Sequence, residues 1–376
     1  MDDWTISIIR PADISDKERQ YWAELQSQNI ELQNPFFTWE YVNAIAAYRP
    51  DVRVMVVNRN GEGRAFLPMN IKSGHARPAG APLCDYQMLI AAPDFDLNLK
   101  DIMRAGQVRA FRFNGLIDPN EMFPTASEDK TRFRVDLRQG FEDYQASLAK
   151  KGRQSLRRTR RRREDAESQF GTVRVEHGTA SSDDIKQLFK WKSEQFIRTR
   201  KYNVLSQRWV YEFLLHIASL NHGDFGGFVS KLYFGQKLVA VHLNVRYKGY
   251  VNGWIISFDP EYRDYSPGLI LFEDCFRNHE KLGIEIYDFS TGESQYKRHL
   301  SNLNGVASAG FETTSGLKAV LYKAYNKMEL ANPHITSGKY SNATTRVRRR
   351  YQQISACETT WHGRMKVLLK TAMHTG

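Results

Sequence analysis

Residues 263–268 read Arg263-Asp264-Tyr265-Ser266-Pro267-Gly268. They follow a β-forming run, Tyr250–Phe258, and precede an apolar helical pattern of Leu269, Phe272, Cys275, Phe276 and His279. Serine is a preferred helix N-cap. Proline suits the first helical position because the N–H it lacks has no partner there anyway. Gly268 keeps bulk away from the helix start. The segment is expected to present free backbone N–H groups and the positive end of a helix dipole, which together bind phosphate, with Arg263 adding a charge-assisted contact. Taken alone, the six residues fit an ordinary capped helix better. Their surroundings change that balance.

Immediately upstream, Phe225–Tyr233, Lys237–Val245 and Tyr250–Phe258 are rich in β-formers. Phe234-Gly235-Gln236 and Tyr247-Lys248-Gly249 separate them, which predicts an antiparallel meander. Before it come a strand at Thr172–Glu176, a helix capped by Ser182 with Ile185, Leu188, Phe189 and Phe196 inward, and a second helix showing Val210, Phe213, Leu214, Ile217 and Leu220. After it come a strand at Ile284–Phe289, a helix over Gly292–Leu300, a strand at Val306–Thr313 and a helix over 316–330. The expected order from 172 to 313 is β-α-α-β-β-β-α-β-α-β.

The first third is mixed. Strands are expected at Thr5–Arg10, Asp51–Asn58, Arg64–Lys72, Asp85–Ala91, Arg109–Leu116 and Thr131–Leu137. Helices are expected at Asp16–Leu32 and from Phe36 to about Tyr48, with an exposed loop over Gly74–Pro82. Residues 141–170 then form a helix of unusual charge: between Lys151 and Arg163 there are eight Lys or Arg and no acid.

The chain has 376 residues, 41% of them apolar, with 18 Tyr, 21 Phe and 7 Trp. That describes a folded protein of about two ordinary domains. No apolar run approaches the roughly 18–20 residues that span a bilayer. The start, Met1-Asp2-Asp3-Trp4, is acidic where a secretory signal is basic, so a cytoplasmic location is expected. Cys84, Cys275 and Cys357 are odd in number and far apart, which supports neither a disulfide framework nor a zinc ribbon. There is no GxSxG elbow, HExxH helix, GxxxxGK[ST] loop or metal-ligand cluster. The formal charge of +12 favours anionic partners: nucleic acid, anionic lipid or a phosphorylated cofactor.

Several motifs, in order, resemble the GNAT superfamily of acyltransferases, in particular its cellulose-biosynthesis-associated CelD/BioF-like branch. They are Asn34-Pro35-Phe36-Phe37-Thr38-Trp39, the segment from Phe141 through the Arg-rich helix to Gly171, Asp259-Pro260-Glu261-Tyr262 running into Tyr265-Ser266-Pro267-Gly268, and Tyr287-Asp288-Phe289-Ser290-Thr291-Gly292-Glu293-Ser294-Gln295-Tyr296-Lys297. The resemblance covers most of 34–313. It implies an α+β fold of two GNAT-like domains, each a mostly antiparallel mixed sheet flanked by helices. The layout would be an N-terminal domain at 1–140, a long basic linking helix at 141–170, a catalytic domain at 171–330 and a basic polar tail at 331–376 that contains Arg346–Arg350.

It further implies direct attack of an amine on a thioester, which needs a base, oxyanion donors and an acid for the leaving thiolate. Tyr296 stands where GNAT enzymes often place that acid, and packing against the sheet is its plainer role. Glu293 is a candidate base or a helix cap. His242, expected mid-strand, is a second candidate base or a hydrogen-bonded core residue. Asp288 and Trp254 are candidates for acceptor binding, or for holding the turn and filling the core. Arg263, Ser266, Gly268 and Lys297 are candidates for the donor's phosphates. Arg263 and Gly268 fit the family's phosphate pattern but its second glycine is missing. The donor is therefore acetyl-CoA by default, with longer acyl-CoA or a carrier-protein thioester open, and no metal is implied.

The expected acceptor is a small-molecule amine, such as a nucleotide-linked or lipid-linked amino-sugar of surface-polysaccharide assembly. The basic helix lacks Tyr, Phe and Trp over 151–163, so it offers no stacking platform for nucleic acid. It reads as a solvated connector, with an acidic acceptor, peripheral contact with anionic membrane, or nucleic acid as the functional alternatives. Two other readings of the whole remain open. One is a FemABX-like aminoacyl-tRNA-dependent transferase. The other is a non-catalytic protein of this fold that binds nucleic acid or membrane.

Overall fold

The computed structural model describes residues 4–119, 121–126, 128–314, 317, 320–321, 354–358 and 365. The expected helix at 316–330 and the basic tail at 331–376 lie outside the described residues, apart from the few just named.

The strands are β1 (Trp4–Ile9), β2 (Val52–Arg59), β3 (Glu62–Lys72), β4 (His75–Pro78), β5 (Ile90–Ala91), β6 (Ala110–Leu116), β7 (Glu128–Asp136), β8 (Val173–Gly178), β9 (Asn221–His222), β10 (Phe225–Phe234), β11 (Lys237–Tyr247), β12 (Tyr250–Phe258), β13 (Ile286–Thr291) and β14 (Leu303–Thr313). The α-helices are α1 (Asp16–Ser27), α2 (Trp39–Ala46), α3 (Leu99–Ala105), α4 (Phe141–Ser147), α5 (Lys150–Phe170), α6 (Ser182–Arg198), α7 (Arg208–Ser219), α8 (Pro267–Arg277), α9 (His279–Leu282) and α10 (Gln295–Leu300). The class is α+β.

One mixed sheet runs in the order β1-β2-β3-β4-β6-β14-β7-β13-β12-β11-β10-β8, with β5 on β3 and β9 on β10. The order from 172 to 313 is the one the sequence predicts, with the two-residue β9 added and α9 as a short extension of α8. The centre of the sheet interleaves distant parts of the chain. β14 lies between β6 and β7, and β7 pairs with β13, so residues before 140 share a ladder with residues beyond 286. The long pairs are antiparallel. The parallel pairings are β12 with β13 and β4 with β6.

Successive side chains of a strand face opposite sides, and β11 shows what this does. Val241, Leu243 and Val245 join the core with Ile185, Leu188 and Phe189 of α6 and Phe213 and Leu214 of α7. His242, one residue out of step, meets the ring of Phe272 in α8 on the other side. Helices therefore cover both faces, and α6 and α8 stand opposite each other across β11 and β12.

Several local expectations change. The exposed loop expected over Gly74–Pro82 instead contains β4, and Ala76, Pro78, Ala79 and Gly80 are buried. The helix expected over 141–170 is split into α4 and α5 by the extended Leu148 and Ala149. Asp85–Ala91 is strand only at Ile90–Ala91, because Asp85 bonds Asn252 of β12 from an irregular segment. Ser181, not Ser182, caps α6. It has Asp184 three residues on to complete a reciprocal capping box, whereas Ser182 has Ile185 there. The last short helix starts at Gln295, since Gly292 takes a positive φ of 94° and Ser294 is extended. Ser266 does not cap α8 with its side chain. It sits in the left-handed region, and its hydroxyl instead accepts a hydrogen bond from Arg162.

The basic helix α5 lies against the second half of the sheet assembly. Gly152 brings it so close to α10 that a Cβ would stand 2.2 Å from the His299 carbonyl oxygen. Its charge is partly consumed by neighbours. Arg160 pairs with Glu273 at 3.5 Å, Arg163 with Asp274 at 2.7 Å, and Arg162 reaches Ser266. Lys151, Arg157, Arg158 and Arg161 remain exposed on the outward face.

Candidate active site

β12 and β13 pair in parallel only at Tyr250–Ile286, Val251–Tyr287 and Asn252–Asp288, then part. Two irregularities force the separation. The β11–β12 register slips between Leu243 and Asn244, and β13 slips against β7 between Asp288 and Thr291. Ser290 stands inside the second, at φ 67°, an uncommon conformation for a non-glycine residue. Its amide donates to Asp288 Oδ1 at 2.6 Å, which fixes the bend.

A cavity of about 240 Å³ opens where the strands diverge. Gly253, Trp254 and Ile256 of β12 line one wall, and Phe289, Ser290 and Thr291 of β13 the other. Lys192 comes from α6, Phe272 from α8, Tyr296 and Lys297 from α10, and His242 from β11. Asp85 enters from the first half of the chain. The cavity thus passes between the helical layers through a gap in the sheet.

Three hydrogen bonds place Asp85. Trp254 Nε1 donates to the Leu83 carbonyl at 2.8 Å, Asn252 Nδ2 donates to Asp85 Oδ2 at 3.2 Å, and Asn34 Nδ2 donates to Asn252 Oδ1 at 3.2 Å. Burial raises its carboxyl to about 6, against the pull of Ser290, Lys297 and Asn252, with Asp288 adding repulsion. A carboxylate tuned toward neutrality in a cleft is suited to proton transfer.

Of the residues singled out from sequence, His242, Trp254, Tyr296 and Lys297 meet in this cavity. Tyr296 stacks on Phe272, with ring centroids 5.6 Å apart, and burial raises its hydroxyl above the ordinary value, so it stays protonated at neutral pH. Lys297 donates to the Thr291 carbonyl at 2.7 Å. Burial lowers its ammonium, and Asp85 and Asp288 partly restore it. His242 is buried, with Tyr287 Oη 3.2 Å from its Nδ1. Burial together with Lys192 and His177 drives it down to about 3, so it is neutral and a weak proton acceptor.

The others lie elsewhere. Glu293 is exposed beside Arg298, at 3.6 Å, and does not line the cavity. Asp288 is wholly buried behind it, accepting from Tyr86 at 2.8 Å and Tyr250 at 2.6 Å, with Arg132 Nη2 at 3.5 Å. Arg263, Ser266 and Gly268 surround the start of α8. A Cβ on Gly268 would lie 3.2 Å from Ile256 Cδ1, so that helix start is one side chain away from the cavity. Asp85 and Lys192 were not singled out from sequence. Asp85 was hidden in an expected strand, and Lys192 sits among ordinary charged positions of an amphipathic helix.

Residues 150–298 match the family model described as an acetyltransferase (GNAT) domain. The chain carries a GNAT-type acyltransferase domain. FemX has a similar fold, with TM-score 0.51 and 11% identity over 83% of this chain and 98% of that one. Also similar are a tandem GNAT protein from the clavulanic acid biosynthesis pathway (0.46; 10% identity; 83% and 99% covered) and a C-terminal DUF2156 domain from Agrobacterium fabrum (0.47; 12% identity; 86% and 98% covered). No curated protein matches the sequence. The GNAT domain so matched contains α5 through most of α10, and with them every site residue expected from sequence. Asp85 is contributed from outside it.

Among the described residues no helix is long and apolar enough to cross a membrane, and no cluster of His, Cys, Asp or Glu could hold a metal ion.

Proposed function

We propose that the protein transfers an acyl group from acyl-CoA to an amine, with the thioester lying in the gap between β12 and β13. The observation that carries this reading is the cavity at that gap, which places one carboxylate of raised pKa, Asp85, and one protonated phenol, Tyr296, around the same space. The amine nitrogen attacks the thioester carbonyl and its proton passes to Asp85. Backbone N–H groups of β12 beyond Asn252, left without a β13 partner, face the developing oxyanion. As the intermediate collapses, the C–S bond breaks and Tyr296 delivers its proton to the thiolate. The donor's phosphates lie at the start of α8, served by Arg263 and the backbone amide of Gly268.

The acceptor, by the CelD/BioF-like resemblance, is an amino-sugar or related amine of surface-polysaccharide assembly, handled in the cytoplasm by two GNAT-like halves. A second reading takes aminoacyl-tRNA as the donor, as in FemABX-like enzymes. The fold's likeness to FemX and the exposed Lys151, Arg157, Arg158 and Arg161 favour it. Thermal melting separates the two. Saturating acetyl-CoA should raise Tm by several degrees, since a ligand at 100 times its Kd adds about 2.7 kcal/mol. No shift with CoA esters of any chain length, together with a shift on adding tRNA, would reverse the order of the two readings.

A further inference from the structure

The cavity contains two ammonium groups with different surroundings. Lys297 has counter-charges, Asp85 and Asp288. Lys192 has none. Its Nζ donates to the Ile256 carbonyl at 3.0 Å and lies 5.5 Å from the Phe196 ring, and among the described residues no carboxylate pairs with it. Its ionisable neighbours are themselves basic: Lys201, which is charged, and His242, which is neutral. Burial without a partner lowers it to about 8. A half-buried cation with one hydrogen bond and no counter-charge is costly to hold, and an anion from a ligand lowers that cost.

Within the lining, Asp85 interacts with Ser290 and Lys297, and Lys192 with His242. Counted together, the lining holds two ammonium groups against one carboxylate. An amine in its attacking, uncharged form that also carries one negative group matches that excess.

We propose that the acceptor is an amino-carboxylate, with its amine at Asp85 and its carboxylate on Lys192. The class comprises amino acids, peptides ending in a free carboxylate near the amine, and amino-sugar acids. This rests on the acyl-transfer reading above and narrows it. A volume of about 240 Å³ admits the amine and carboxylate of one such unit and leaves larger parts of an acceptor outside. A carboxylate fits better than a phosphate dianion, because Asp85 in the same cavity repels the second charge.

The test uses amines paired to differ only in the anion: glycine with methylamine, lysine with cadaverine, muramic acid with glucosamine, and glucosamine with glucosamine 6-phosphate. Acylation is followed by thiol release at saturating acetyl-CoA, and donor binding is measured separately. Carboxylate-bearing members should show kcat/KM at least tenfold above their partners. In Lys192→Met that ratio should fall toward one, with donor affinity and melting behaviour retained. Equal rates within each pair would overturn the proposal, as would a preference for phosphate alone, an equal loss for all acceptors in Lys192→Met, or no acylation of any member while the donor binds. Failure of the donor to bind would instead count against the acyl-CoA reading.

Discussion

Replacing Asp85 with Asn should lower kcat by about 10²–10⁴, the usual contribution of a general base, while raising the protein's stability at neutral pH. The two effects share one cause. Burial lifts the folded carboxyl to about 6 from an ordinary 3.8, so the folded chain holds this proton more tightly than the unfolded chain. A raised carboxylate contributes stability below its unfolded pKa, and that contribution is lost as pH rises from about 4 to about 6. Asn keeps the shape and the acceptor oxygen for Asn252 but carries no charge. Discounted for water in the cavity, the gain above pH 6 is of order 1–2 kcal/mol. Wild-type kcat should rise with pH through about 6 as Asp85 ionises, and the residual activity of Asp85→Asn should lack that limb. A variant that loses activity together with stability would show that Asp85 is structural.

Replacing Tyr296 with Phe should cost a similar factor, about 10²–10⁴ in kcat, through the loss of the thiolate's acid. The ring environment survives this change. Stacking on Phe272 and the edge contact with Phe289, each at 5.6 Å, need no hydroxyl. Donor affinity and Tm should therefore remain at wild-type values. Isothermal titration with acetyl-CoA beside a steady-state thiol-release assay makes this separation. A parallel loss of donor affinity and turnover would place Tyr296 in binding, and unchanged turnover would remove it from the chemistry.

The second half of the fold is legible in the sequence because its elements are locally determined. The β10–β11–β12 hairpins are set by alternation and short turns, and α6, α7 and α8 by apolar residues at helical spacing. The order of β14 and β7 is not legible. Each pairs with strands from the other half of the chain, and such long-range choices leave no local pattern. The cavity is half legible. Tyr296 and Lys297 follow a motif on one helix, and Trp254 and His242 fall on predicted strands. Asp85 is set in place by a tertiary chain from Asn34 through Asn252, and no residue beside it in sequence announces that. Lys192 is informative only through what does not accompany it, which sequence cannot display. At Ser266, local rules give a cap, but the reach of Arg162 from a helix 104 residues away takes the hydroxyl instead.

Hydrogen exchange with and without saturating acetyl-CoA tests the central claim most directly. The donor should slow exchange in β12 at 253–258, at the start of α8 around 267–270, and across 289–297, with β1, β2 and β3 unaffected. Protection absent from those three segments would contradict a thioester bound where β12 and β13 part.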